Sequence, residues 1–369
     1  MKIDLVELRR IAMPLVRPFR TSFGTQTERD ILLVRVVTDA AEGWGECVAL
    51  ADPVYSSEYV AGAQQVLRDY LVPQLLSSSL VSAVRLAPRM AGILGHRMAK
   101  AALEIAVLDA ELRASSMSLA AYLGGTRDEV DCGVSVGIAT SVPALLEEVR
   151  GYVQEGYRRI KLKVEPGWDL EPLAAVRAEF GADLLLQVDA NTAYTVADMR
   201  HLARFDDFDL LLIEQPFDEE DIESHRVLSR TIRTPVCLDE SVVSAASAAD
   251  AIRRGACSIV NIKAGRVGGY LEAARVHAVC QALGVPVWCG GMLETGLGRA
   301  ANLALASLPG FTLPGDTSAS ARYYSEDITE PFVMVDGRLP VPQGAGLGVL
   351  PRPEVLDALT TSREELQAG

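Results

Sequence analysis

Ile160-Lys161-Leu162-Lys163-Val164 is a short apolar run in which every second residue is a lysine. Alternate side chains of an extended strand share a face, so Lys161 and Lys163 point one way and Leu162 the other. Two cations on one face of a buried strand are costly unless function keeps them there. Four more charges follow, each closing an apolar run: Asp189, Glu214, Asp239 and Lys263. From Lys163 onward the gaps are 26, 25, 25 and 24 residues, one strand plus one helix each. The order is a base, three carboxylates and a base. That order predicts a metal held between two lysines, and a reaction that generates an anion.

The runs at 134–138, 160–164, 184–188, 210–213, 236–238, 258–262, 285–289 and 311–313 alternate with amphipathic stretches. Eight buried strands separated by helical segments predict a parallel β/α barrel. A doubly wound open sheet is the alternative, and even spacing with functional groups on many strands favours closure. Upstream the texture differs. Residues 31–37 and 44–48 alternate like antiparallel strands, and 60–80 and 97–114 read as helices. The tail after residue 321 carries Pro331, Pro340 and Pro342 and is expected to leave the barrel and pack on the N-terminal part. The expected division is 1–125, 126–320 and 321–369.

Bulk properties narrow the partners. The 369 residues are 49% apolar, 23% charged and 6% aromatic, which is the composition of a soluble globular protein of about two domains. A net charge of -14 disfavours nucleic acid and anionic membrane as partners. The six cysteines show no C-x-x-C spacing and lie mostly in apolar runs, so a reducing, cytoplasmic setting is expected. Lys2, Asp4, Glu7, Arg9 and Arg10 interrupt any signal-peptide core, and no run approaches the ~20 apolar residues that span a bilayer.

Barrel active sites lie at the C-terminal ends of the strands, where all five charges fall. Asp189, Glu214 and Asp239 offer hard oxygen donors without His or Cys, which suits Mg²⁺ or Mn²⁺ rather than Zn²⁺. A lysine base must be neutral part of the time, which asks for a pKa lowered from ~10.4 towards ~7–8. Burial and a neighbouring cation act in that direction. Lys161 is placed to do so for Lys163, and Arg266 for Lys263. Such a site fits proton abstraction from a carbon next to a carboxylate, because the resulting enolate spreads its charge onto oxygens.

The segments Lys161-Leu162-Lys163, Val188-Asp189-Ala190-Asn191, Ile213-Glu214-Gln215-Pro216, Leu238-Asp239-Glu240-Ser241 and Asn261-Ile262-Lys263 resemble the muconate-lactonizing subgroup of the enolase superfamily. Within it the chain is similar to the o-succinylbenzoate synthase / N-succinylamino acid (N-acylamino acid) racemase family. Arg17-Pro18-Phe19-Arg20-Thr21-Ser22-Phe23-Gly24, Gly265-Arg266-Val267-Gly268-Gly269 and Trp288-Cys289-Gly290-Gly291-Met292-Leu293-Glu294-Thr295-Gly296 add to the match. The resemblance spans essentially the whole chain.

It implies a modified TIM barrel, (β/α)7β, under an α+β capping domain built from both chain ends. It implies a divalent metal (Mg²⁺, or Mn²⁺) on Asp189, Glu214 and Asp239, with Lys163 and Lys263 on opposite faces of a succinylated carboxylate and Lys161 assisting. Two reactions share one enolate: dehydration, as in menaquinone biosynthesis, and racemisation. The resemblance also implies a homo-oligomer.

Candidate substrate contacts are Phe19, Phe23 and Tyr55 from the capping loops, Ser135 on the first barrel strand, and Asn191, Arg266, Gly291 and Leu293. Asn191, Glu240 and Asp316 lie just beyond strand ends and read as supports for the reacting groups. The four histidines are scattered, with no ligand spacing. Gly296-Leu297-Gly298-Arg299-Ala300-Ala301 fits a loose dinucleotide pattern, but at the seventh unit rather than the first. Rival readings are a dipeptide epimerase, a muconate cycloisomerase, a nicotinamide dehydrogenase, and a non-catalytic protein that binds metal or carboxylate.

Overall fold

The computed structural model describes residues 1–78 and 81–367. The chain opens with antiparallel strands β1 (Ile3–Thr21), β2 (Gly24–Thr38) and β3 (Glu42–Cys47). A helix, Arg97–Ala114, lies directly on β3. Gly43 and Gly45 permit that approach, because a Cβ on either would overlap the carbonyls of Ala106 and Ala102. The helix is buried nearly all round, and its Asp109 accepts hydrogen bonds from the backbone N–H of Trp44 (2.9 Å) and Leu347 (2.7 Å). The expected helix at 60–80 runs from Val60 to Leu76 with a π turn at Leu67–Leu71; positions 79 and 80 lie outside the described residues.

After β4 (Glu129–Asp131) come seven parallel strands: β5 (Gly133–Val136), β6 (Arg159–Lys163), β7 (Leu185–Asp189), β8 (Ile213–Glu214), β9 (Val236–Leu238), β10 (Ile259–Ile262) and β11 (Val287–Cys289). They pair in sequence order. Most are followed by a helix with an oxygen-bearing cap. Ser141, Asp169, Asp221, Ser244 and Thr295 each accept a backbone N–H of the helix they precede. The unit after β7 departs from the pattern, with short helical turns over Val196–Asp198, Met199–Leu202 and Ala203–Phe208 in place of one helix.

The eighth expected run, 311–313, forms no strand. Pro309, Gly310, Pro314 and Gly315 flank it, and proline has no N–H for a ladder. Phe311 instead makes one parallel bridge to Val287 of β11, and Gly315, just past the run, makes one to Cys132, just before β5. β12 (Arg338–Pro340) then pairs with β4, and β13 (Thr360–Gln367) adds to β1 as the edge of the N-terminal sheet. Both chain ends therefore build the cap. Among the described residues no helix is long and apolar enough to cross a membrane.

Cap and barrel meet through Glu46 of β3. Its carboxylate accepts the N–H groups of Thr295 and Gly298 and the Thr295 hydroxyl (2.6 Å), at the start of helix Gly296–Ala306. A protein carboxylate thus fills the helix N-terminus that the dinucleotide-like pattern would have offered to a phosphate. The six cysteines are all buried and free.

Burial, and then the like charge of Glu294, raise the Glu46 carboxyl from 4.5 to about 7. Between those values the folded protein holds a proton that the unfolded chain has released. The contribution of Glu46 to stability is therefore full below about 4.5, falls as pH rises towards about 7 and stays lost above it, by up to ~3 kcal/mol. Urea unfolding at pH 5 and pH 8 should show a smaller drop for Glu46→Gln than for the parent chain; equal drops would refute this assignment.

Candidate active site

Strand register decides which groups share the barrel interior. Ser135, Lys161 and Gln187 form one row, and Lys163, Asp189, Glu214 and Cys237 the next. Asp239 lies two residues beyond Cys237 and so returns to the same face. Lys263 directly follows β10. The five spaced charges are thereby brought to one barrel mouth, all buried, with Lys163 and Lys263 at 8% and 6% exposure the most open of them. Three strands separate the one that ends in Lys163 from the one that precedes Lys263, which sets the two lysines on opposite sides of that mouth.

Each lysine is met by anions. Lys163 Nζ donates to Asp189 Oδ2 (2.5 Å) and Asn191 Oδ1 (2.6 Å). Lys161 Nζ lies 2.7 Å from Asp316, 3.1 Å from Glu214 and 3.3 Å from Asp189. Lys263 Nζ reaches Asp239 Oδ2 (2.8 Å) and the hydroxyl of Tyr55 (3.1 Å). Arg266 pairs with Asp239 and donates to the carbonyls of Val242 and Asn261. Beneath them lies Trp288, with the Lys161 ammonium 4.7 Å and the Arg159 guanidinium 5.1 Å from its ring centre.

Opposing forces act on these groups. Burial, and then Lys161, depress Lys163 below its ordinary value against the pull of Asp189. Burial opposes the charge on Lys161 too, but Asp316, Glu214 and Asp189 outweigh it and hold that amine above its usual range. Lys263 departs from expectation. Burial lowers it, yet Tyr55, Glu240, Glu214 and Asp189 together raise it, and Arg266 does not reverse that. Burial and the nearby Asp189 charge push the Glu240 carboxyl up to about 7. Asp189 itself is held well below the usual carboxylate range, because Lys163 and Lys161 overcome its burial.

The three carboxylates come from neighbouring strands but are bridged by ammonium groups; among the described residues no three acidic or thiol or imidazole side chains stand as a ligating group. The donor set still fits a hard divalent cation, being all carboxylate oxygen and fully buried. Asp239 Oδ1 is taken up by the Arg266 guanidinium and Oδ2 by Lys263.

The remaining candidates separate. Tyr55 touches Lys263 and lies 5.8 Å from Phe23, ring to ring, so both flank the mouth. Phe19 is buried edge-on against Tyr323 (6.3 Å) beside Arg322, a packing position between cap and tail. Ser135 Oγ is buried and has no hydrogen-bond partner among the described residues. Asn191 bridges Lys163 to Glu240, donating to Glu240 at 2.9 Å. A Cβ on Gly291 would lie tightly against the Asp316 carbonyl oxygen (3.0 Å) and Glu294 Oε2 (3.3 Å), and Leu293 is buried with a left-handed φ of 58°. The carbonyl of Leu293 accepts from the Tyr324 hydroxyl (2.5 Å).

Two groups escaped the sequence reading. Arg159 is fully buried and pairs with Asp316 (2.8 Å); the alternation that aligned Lys161 with Lys163 extends to it and was the available signal. Gln215 Oε1 accepts the N–H groups of Asp239 (3.0 Å) and Ser241 (3.3 Å), and only the fold brings these together. His225 and His277 serve backbone groups away from the charges.

Comparison with known proteins places this geometry. Residues 5–124 match the mandelate racemase / muconate lactonizing enzyme N-terminal domain, and residues 144–355 the enolase C-terminal domain-like family. The chain belongs to the enolase superfamily. It is 66% identical over 363 residues to an N-succinylamino acid racemase from Amycolatopsis sp, covering 98% of this chain and 99% of that one. It is 47% identical over 348 residues to an o-succinylbenzoate synthase from Geobacillus kaustophilus, covering 94% and 92%. A crystal structure of an enolase-superfamily member from Listeria innocua superposes with a TM-score of 0.96 at 37% identity, over 100% of both chains. Both named relatives are enzymes, which leaves the non-catalytic alternative without support.

Asp316 answers two buried cations at once. Asp316→Ala leaves Arg159 and Lys161 short of an anion and should cost about 3–5 kcal/mol in urea unfolding. A loss below 1 kcal/mol would mean that Asp189 and Glu214 suffice to balance them.

Proposed function

We propose that this chain forms an enolate from a succinylated carboxylic acid, catalysing N-succinylamino acid racemisation, o-succinylbenzoate formation, or both. One observation carries the reading: two lysines on opposite sides of a barrel mouth flank three buried carboxylates, in a chain so close to relatives bearing those names. A Lys or His base with one or two Mg²⁺ ions is a known property of the enolase superfamily, not a result of this structure.

Asp189, Glu214 and Asp239 would hold the divalent cation, Mg²⁺ or Mn²⁺. When bound it supplies positive charge that stabilises an enolate and favours the neutral form of a nearby lysine. The chain's own residues then divide the work. In racemisation one lysine takes the α-proton and the other delivers a proton to the opposite face. In dehydration Lys163 takes the α-proton and returns it to the departing hydroxyl, while Lys263 steadies the anion. Lys161, pinned by three carboxylates, remains a fixed cation. Ser135 offers a free buried hydroxyl to the substrate, with Gly291 and Leu293 beside it in this reading, while Phe23 and Tyr55 close its apolar side. Arg266 and Asn191 orient Asp239 and Lys163. The same reading takes the chain as a homo-oligomer in the reducing cytoplasm, where six buried thiols are at home.

Three measurements test it. In deuterated solvent Lys163→Ala should lose α-proton exchange with one hand of an N-succinylamino acid, and Lys263→Ala with the other. Undiminished exchange in either variant would sink the two-lysine site. Dialysis against a chelator should abolish turnover and added Mg²⁺ restore it; full activity of the chelated protein would remove the metal from the scheme. A substrate panel should favour succinylated acids over dipeptides and muconate, and the reverse preference would reassign the enzyme to an epimerase or cycloisomerase.

A further inference from the structure

Lys163 depends on Asn191, and Asn191 sits on strained backbone. Asn191 and Thr192 both have left-handed φ, 41° and 64°. An asparagine tolerates that region, but a β-branched threonine is a true outlier there. Such a conformation persists only where the surroundings over-determine it. The surroundings include Thr192 N–H donating to the Gln215 carbonyl (2.8 Å) and Tyr194 N–H to the Pro216 carbonyl (3.0 Å). These tie the loop to the β8 side.

On the β6 side a side-chain cluster holds it. The Tyr194 hydroxyl donates to Asp169 Oδ2 (2.7 Å), and His201 Nε2 meets the same oxygen at 2.7 Å. The rings of Tyr194 and His201 stack at 6.3 Å, 25° apart. Asp169 is buried and follows Lys163 by six residues, on the loop that leaves β6. Its other oxygen accepts the N–H of Leu170 (2.6 Å), so the carboxylate is fixed to a helix start. The cluster therefore joins the loop after Lys163 to the loop after Asp189, and between these two loops lies the 2.6 Å contact of Lys163 with Asn191.

We propose that Asp169, Tyr194 and His201 form a positioning clamp for Lys163. The clamp holds the strained turn so that Asn191 Oδ1 fixes the direction of the Lys163 amine, whereas the hydrogen-bond partners of Lys263 are Asp239 and Tyr55, outside that turn. None of the three touches the five spaced charges. The inference rests on the two-lysine reading above, and it assigns to these residues an effect on one face of the substrate only.

Tyr194→Phe keeps the ring and removes the hydrogen bond. The hand of N-succinylamino acid that uses Lys163 is identified as the one whose deuterium exchange Lys163→Ala loses. For that hand Tyr194→Phe should lower kcat for exchange by about tenfold, since sub-ångström misplacement of a reacting group is expensive. Exchange of the opposite hand should stay within about twofold, a split that general loosening of the fold would not produce. Asp169→Asn should give the same one-sided loss and serves if the tyrosine variant does not fold. An equal fall for both hands, or no fall for either, overturns the clamp. A parent enzyme that exchanges neither hand overturns the two-lysine reading itself, and the clamp with it.

Discussion

The ammonium group of Lys161, held by Asp189, Glu214 and Asp316, is the interaction on which the site depends. A cation at 1% exposure is tolerable only with anions in contact, and each of those anions in turn needs a cation. The chain of obligations runs on to Arg159 through Asp316, to Lys163 through Asp189, and to Asn261 through Glu214. Lys263 and Arg266 close it on Asp239. Removing one member leaves its neighbours buried and unpaired.

This balance also explains why the two catalytic candidates are unlike. Burial, and then Lys161 in the same strand, pull the Lys163 amine down against Asp189. Lys263 is surrounded by Tyr55 and several carboxylates and is held up. The cap contributes directly to that difference, because Tyr55 arrives from a loop 208 residues upstream. Other cap contacts are also polar. Arg20 pairs with Glu165 (2.9 Å), and Ser22 donates to the Asn191 carbonyl (3.3 Å). Glu46 caps the helix after β11. The cap is thus docked onto the loops that flank the barrel mouth.

Much of this was legible because charge inside an apolar strand run is rare enough to be informative. Lys161, Lys163, Asp189, Glu214, Asp239 and Lys263 each declared themselves that way, and their even spacing declared the barrel. Asp316 and Asn191 were legible only as neighbours of strand ends. Phe19 was open to two readings, substrate contact or packing, and in the fold it lies in β1 against Arg322 and Tyr323. The run at 311–313 misled. Apolar composition implied a strand, while the prolines and glycines around it allowed only isolated bridges. The broken helix after β7 and the clamp on Asn191 carry no periodic signal at all.

What the amino-acid order determined by itself was the kind of chemistry: strand and helix alternation, the common face of Lys161 and Lys163, and oxygen donors between two amines. These follow from backbone periodicity, which is local and leaves a mark every second residue. Only the tertiary structure decided which anion each lysine meets, which amine is depressed, and which strained turn supports it. Those depend on register between strands and on loops hundreds of residues apart. Coulomb energy and burial are set by distance in space, and no spacing along the chain encodes that distance.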